Sequence, residues 1–267
     1  MKVGVKYASP FQFVALRTLL ATLILFLVMF CLRKPIRPQQ VLGTIVFGLL
    51  QTAGLFGFSN WALASGGAGK MAILVYTMPF WVLFIAWPIL GERIRGKQWI
   101  GIVLGLGGLA LILQPLNLKS GLGNEVLALL AAICWAVSTI VEQKLQKKAA
   151  LEPLSFTAWQ LLFGTVPLVA IALGEHSTPI VWSGPFIGAL LYSGILATAV
   201  VLPLWLYLLN RLSAGVASIG TLAIPVVGVL AAWLQLGERP GFVEVIGILL
   251  ILIALFLLPL QSQQQHG

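Results

Sequence analysis

The sequence predicts an all-α integral membrane protein, and three observations carry that prediction. Only 9% of the 267 residues are charged while 60% are hydrophobic, whereas a soluble domain keeps roughly 25% charged residues to face water. The apolar residues come in long runs, among them Phe11 to Leu32, Val41 to Leu63, Met71 to Leu90 and Ile246 to Leu260, of the order of the ~20 residues a membrane span requires. The runs do not alternate apolar with polar as the strands of a barrel must. A continuous run in lipid satisfies its own backbone groups by forming a helix.

Taken in order, about nine spans are expected, at 10–32, 41–63, 71–90, 98–115, 125–143, 155–173, 185–209, 214–236 and 243–260. The connections are short, so sequential helices should run antiparallel. Residues 261–267 are polar and form a short tail. Basic residues mark the cytoplasmic side of such a bundle. Alternate loops hold Arg33, Lys34, Arg37, Arg93, Arg95, Lys97, Lys144, Lys147, Lys148 and Arg211, ten in all, against five on the other side: Lys2, Lys6, Lys70, Lys119 and Arg239. That bias places the C-terminus in the cytoplasm, in a cell inner (plasma) membrane, and Met1 outside. The net charge of +9 is thereby absorbed by topology rather than by nucleic acid. Cys31 and Cys134 are isolated within apolar runs and read as small core residues. Met1 opens on a short basic stretch without the apolar region of a cleavable signal.

The sequence also repeats itself. Pro79, Gly91-Glu92-Arg93 and Ile100-Gly101 return at a constant offset of 146 as Pro225, Gly237-Glu238-Arg239 and Ile246-Gly247. Upstream the offset is 143, pairing Pro10 with Pro153, Phe13 with Phe156 and Arg17 with Gln160. Matched points lie five spans apart, an odd number, so the halves should be inverted relative to each other. Inverted repeats place a substrate site near the midplane where they meet. The expected layout is a first repeat over 1–118, an inverted second repeat over 119–260 and a tail over 261–267. The counterpart of the 125–143 span would precede residue 1, so the first helix of the first repeat is expected to be missing from the chain as written.

These residues, together with Asn60-Trp61-Ala62-Leu63-Ala64, Trp99, Ala132-Ile133-Cys134-Trp135-Ala136, Leu206-Tyr207 and Ala214-Gly215, resemble the drug/metabolite transporter superfamily, in its EamA-type branch. The match covers nearly the whole chain and is specific in combination. It implies ten helices in two inverted five-helix repeats, a central cavity, and export or exchange of amino acids, metabolites or drugs.

The expected substrate cavity draws on polar and aromatic span residues: Gln51, Asn60, Tyr76, Trp135, Ser138, Trp159, Gln160, Thr198 and Thr221. Small-molecule sites are mostly apolar with a few placed polar groups. Each of these residues could equally be an interhelical hydrogen bond or an interfacial belt residue. Pro79 and Pro225 lie mid-span and are expected to kink or break their helices at the cavity. Arg17 is the one cation within a span, roughly 10 Å from its start by helix rise. It either snorkels to the headgroups or meets a substrate anion, or Glu244, as a gate. Glu142 lies near the inner end of its span beside the basic loop at 144–148; pairing with that loop is the expected reading, with proton coupling as the lesser alternative. The Gly-Glu-Arg turns read as helix ends, and Gly101 and Gly105 with Gly108 as a packing surface within the bundle.

Other classes find little support. The chain contains no aspartate, and its histidines, His176 and His266, fall in a loop and the tail. No HExxH or GxSxG occurs, and Gly69-Lys70 lacks the remaining residues of a phosphate loop. No metal-ligand spacing is present, so no enzyme, cofactor or metal is expected. A channel would want a charged ring or a carbonyl filter. A secondary transporter or facilitator of small organic solutes remains, working as a monomer or weak homodimer in the bilayer. The alternatives are a non-transporting membrane subunit or a channel-like pore.

Overall fold

The computed structural model describes residues 4–65, 74–91, 96–113, 122–149, 151–175, 179–209, 211–212 and 241–257, with positions 217, 220, 221, 223, 224 and 227. Eight helices are described: α1 (Pro10–Cys31), α2 (Val41–Gly48, continuing through Leu49–Phe56 and Gly57–Ser65), α3 (Met78–Leu90), α4 (Lys97–Leu113), α5 (Leu122–Lys148), α6 (Pro153–Gly174), α7 (Gly184–Leu209) and α8 (Phe242–Leu257). No strand occurs among the described residues. Five of these helices, α1, α2, α5, α6 and α7, are long and apolar enough to cross a membrane, and α3, α4 and α8 contain shorter apolar helices. The chain is therefore a multi-pass membrane protein. Most of the span expected at 214–236, with Pro225 and Glu238, lies outside the described residues, as do Glu92 and the side chain of Glu244.

Local chemistry starts and stops the helices where the sequence suggests. Ser9 opens α1 with a capping box: its hydroxyl accepts from the Gln12 N–H at 3.2 Å, and its own N–H donates to Gln12 Oε1 at 3.0 Å. Pro10 follows at the first helical position, where a missing N–H costs nothing. Glu152 and Ser183 cap α6 and α7 by accepting from the Ser155 and Phe186 N–H groups. Gly91 ends α3 at φ 74°, a left-handed conformation suited to glycine, as the Gly-Glu-Arg reading requires. Pro79 takes the second of its two expected forms, a break in place of a kink. It sits in the first turn of α3, after a turn at Tyr76-Thr77 that follows helical residues 74–75, so the span is broken just before Pro79 and not kinked at it. The reason is the ordinary tolerance of proline at a helix start.

Two features are not written in the hydrophobic pattern. Residues Leu49–Phe56 of α2 and Tyr192–Val200 of α7 are wound as wide π-helix. They begin 143 residues apart, the same offset that pairs Arg17 with Gln160. A π-helical insertion disturbs the regular ladder and is often found at functional sites.

Polar side chains are buried within the bundle while many large apolar ones face outward. Leu23, Leu27 and Phe30 form an exposed stripe down α1, while Arg17, Thr18 and Thr22 on the same helix are buried. An exposed apolar surface of this extent marks contact with lipid. α1 packs along α6 and against the π segment of α7, α6 packs on α2, and α5 packs between α2 and α3. α4 pairs with α8 along most of its length, where Gly108 lies against the Gly247 carbonyl and Ile251. Gly101 faces the Ala254 carbonyl across the same seam. α2 and α6 touch through glycine as well: side chains at Gly48 or Gly164 would collide with the opposing backbone.

The two ends of the bundle are distinct. At the first, the 32–40 loop is bound to α5 and α6 by Gln40 Nε2 donating to Leu145 O at 2.8 Å and the Glu152 N–H donating to Gln39 Oε1 at 2.9 Å. At the second, the Val181 N–H donates to Tyr7 O at 2.9 Å and Ser9 Oγ to Glu175 Oε2 at 2.9 Å.

Candidate functional site

The close glycine contact of α2 with α6 brings polar side chains together in the bundle interior. Thr52 Oγ1 donates to Gln160 Oε1 at 2.9 Å across that seam. On the other flank of α2, Ser138 Oγ of α5 lies 2.5 Å from Gln51 Oε1 and 2.7 Å from Trp135 O. Its single proton is shared between these two acceptors. Gln51, Thr52, Ser138 and Gln160 are all buried. Gln51, Gln160, Thr157 and Glu142, with Phe156 and Trp205, line one small internal cavity. Of the predicted residues, Gln51, Ser138 and Gln160 therefore lie together.

Arg17 forms a second station, nearer the second end. It is 1% exposed, and its guanidinium carbon lies 4.3 Å from the centroid of the Phe56 ring. Nε and Nη1 have no hydrogen-bond partner among the described residues. The buried Asn60, one turn beyond Phe56 on α2, donates from Nδ2 to Phe56 O at 2.8 Å, and its Oδ1 has no partner among the described residues. A snorkelling arginine would present its charge to water; this one does not. A buried cation over an aromatic face, with free donors, is suited to receiving an anionic or strongly accepting group.

The remaining predicted residues are dispersed. The Tyr76 ring lies 6.4 Å from that of Trp135, whose indole Nε1 has no partner among the described residues. Beside them Met78, Val82, Ala132, Ala136 and Ile140 form an apolar contact between α3 and α5. Pro79 is buried at the start of α3. Thr198 is turned into its own π segment, donating to Ser193 O at 2.7 Å, and Thr221 is buried. Trp159 lies apart from the cavity: its Nε1 donates to Ile36 O at 2.9 Å and its ring packs 5.3 Å from Phe26. It anchors the loop at the first end, because the helix register that turns Gln160 inward turns its neighbour outward.

Glu142 corrects the sequence reading most. It is 1% exposed and makes no ion pair with the basic loop among the described residues. Thr52, Thr157 and Trp205 were also missed. Thr52 and Thr157 carry no sequence signal beyond their neighbours, but Glu142 follows Ser138 by four residues and so shares its helix face.

An apolar helical bundle that buries polar side chains in separate stations is the architecture of a multi-pass membrane protein. The chain belongs to the EamA-like transporter family, whose family model matches residues 1–114 and 123–259. It is 32% identical over 263 residues to the uncharacterized transporter YoaV of Bacillus subtilis, covering 96% of this chain and 89% of that protein. It is 28% identical over 267 residues to a probable amino-acid metabolite efflux pump of Escherichia coli, covering 96% and 88%. A solved crystal structure superposes with a TM-score of 0.81 over 97% of this chain and 90% of that one, at 17% identity, which establishes a shared fold. The family and these relatives point away from catalysis.

Proposed function

We propose that the chain is a secondary carrier that exports or exchanges small organic solutes by alternating access. The observation that carries this reading is the cluster of Gln51, Thr52, Ser138, Gln160 and Glu142, contributed by three helices and buried inside an apolar bundle. Polar groups in such a place are expensive and mark solute pathways. The paired π segments at the repeat offset support two inverted halves, 1–118 and 119–260, that rock about this cluster. In this reading the C-terminal tail at 261–267 is cytoplasmic, and the bilayer is the inner or plasma membrane. Arg17 serves the anionic end of the solute. Tyr76, Trp135 and Pro79 wall the entrance beside α3, while Thr198, Thr221 and Pro225 do so on the other half. The name of the Escherichia coli relative favours amino acids and their metabolites as a first panel.

The test is counterflow. The purified chain is reconstituted in liposomes loaded with unlabelled alanine, leucine, phenylalanine or threonine, and uptake of the labelled form is followed. Transient accumulation above protein-free vesicles is expected for at least one solute. Its absence across a panel extended to keto acids and aromatic metabolites, with a folded protein, would refute the reading.

A further inference from the structure

Glu142 is the one acidic side chain described as buried inside the bundle. Its α5 neighbours Lys144, Lys147 and Lys148 point away to the exposed side. Of the helices packed around it, α2, α3 and α6 carry no titratable side chain within their bounds. Glu152, which caps α6, is held 3.9 Å from Lys34 instead. α7 contributes Tyr192 and Tyr207, and the Tyr207 ring lies under the Arg211 guanidinium at 4.8 Å. No cation forms an ion pair with Glu142 among the described residues, and its Oε2 has no hydrogen-bond partner there.

The surroundings are closed as well as uncharged. The cavity that Glu142 shares with Gln51, Thr157 and Gln160 has about 10 Å³ of free volume, room for about one water molecule. Between it and the first end lies an apolar plug of Phe47, Leu145, Leu151, Phe156 and Leu206, with the Phe47 and Phe156 rings 5.1 Å apart. Gln143 holds α5 to the segment after α7 at that end, donating from Nε2 to Leu212 O at 2.9 Å. One turn deeper on α5, Ser138 joins Glu142 to the Gln51 station. An ionised carboxylate sealed here without a counter-charge would carry a desolvation penalty of several kcal/mol. The neutral acid suits the closed cavity.

We propose that Glu142 is a proton-carrying site, closed in this conformation, that couples solute movement to a proton moving the opposite way. When the apolar plug opens, the carboxyl O–H bond breaks and the proton passes to water at the first end, leaving a carboxylate that can take the polar or ammonium end of a solute. When the halves rock and the cluster opens toward the second end, the solute leaves and the carboxylate takes a proton from water there, re-forming the O–H bond. One proton crosses per solute, with no other reactant. The coupling rests on the carrier reading above; the proton site itself does not.

Two measurements on the full reconstituted chain separate these parts. Infrared spectra at neutral pH should contain a carboxylic-acid C=O band that shifts on deuteration and is absent from Glu142→Gln. A wild-type spectrum without that band, or the same band in Glu142→Gln, would overturn the proposal. In liposomes holding trapped pyranine, an outward gradient of whichever panel amino acid exchanges should drive protons inward in the wild type. A one-unit pH gradient should support about tenfold accumulation of that solute in a one-for-one exchange. In Glu142→Gln the response to the gradient should fall to none whatever flux remains, and Glu142→Asp should restore part of it. Solute exchange in the wild type without proton movement would overturn the coupling. The infrared band in a protein that moves no solute would refute the carrier reading and uphold the proton site.

Discussion

Replacing Arg17 by Met should make the protein more stable and less active at once. The guanidinium is buried with Nε and Nη1 unpartnered among the described residues. Each unsatisfied buried donor costs about 1–3 kcal/mol. The face of Phe56, 4.3 Å away, returns about 0.5–2 kcal/mol. The balance leaves Arg17 destabilising the empty carrier by on the order of 2 kcal/mol. Methionine keeps an unbranched apolar stem as far as the position of Nε while removing the orphaned donors. The melting temperature of Arg17→Met in detergent should therefore rise by roughly 4–8 °C, taking about 2–4 °C per kcal/mol for a chain of this size. A hydrogen bond to a charged group contributes about 1.5–3 kcal/mol, so counterflow of a carboxylate-bearing solute should fall roughly 10- to 150-fold. A lower melting temperature together with unchanged counterflow would refute the reasoning, because Arg17 would then be a structural residue whose donors are satisfied.

Four further outcomes follow from the packing and the cluster. Gly108→Leu should lower the melting temperature, since even a Cβ there would lie 2.6 Å from the Gly247 carbonyl and 2.8 Å from Ile251, and overpacking costs about 1–3 kcal/mol. Gly101→Ala, where the nearest atom is the Ala254 carbonyl at 3.6 Å, should by contrast be nearly neutral by the same thermal assay. Gln51→Leu should change stability by no more than about 1 kcal/mol, because Ser138 keeps Trp135 O at 2.7 Å, yet counterflow should drop at least tenfold; equal loss of both would make Gln51 a packing residue. Pro79→Ala should leave stability within about 1 kcal/mol while slowing exchange, since α3 could then extend through the Tyr76-Thr77 turn; unchanged exchange would remove α3 from the moving parts.

Much of this was legible in the sequence because lipid imposes simple rules. Long apolar runs had to be helices, and Gly91 had to end one. Gln51, Ser138 and Gln160 were conspicuous as polar residues within apolar runs, and they converge. What was hidden depends on helix winding and register. The π segments of α2 and α7 have no signature in hydropathy, because an extra residue per turn changes direction and not composition. Pro79 looked mid-span because the run at 71–90 is continuous in hydropathy, although α3 begins at Met78. Glu142 was drawn toward Lys144, Lys147 and Lys148 by proximity along the chain. Its helix face was fixed instead by Ser138, four residues earlier, and that face turns inward. Trp159 was legible only as one of several options, and it lies one position from an inward residue and so is directed outward to Ile36 and Phe26.

The central claim is that the buried cluster between α2, α5 and α6 is where solute binds during transport. Counterflow in liposomes should be measured for the wild type beside the double variant Gln51→Leu, Gln160→Leu, with both melting temperatures recorded. The account predicts robust counterflow in the wild type and at least a tenfold loss in a double variant that remains folded. Equal counterflow in the two would contradict it and place the solute pathway elsewhere in the bundle.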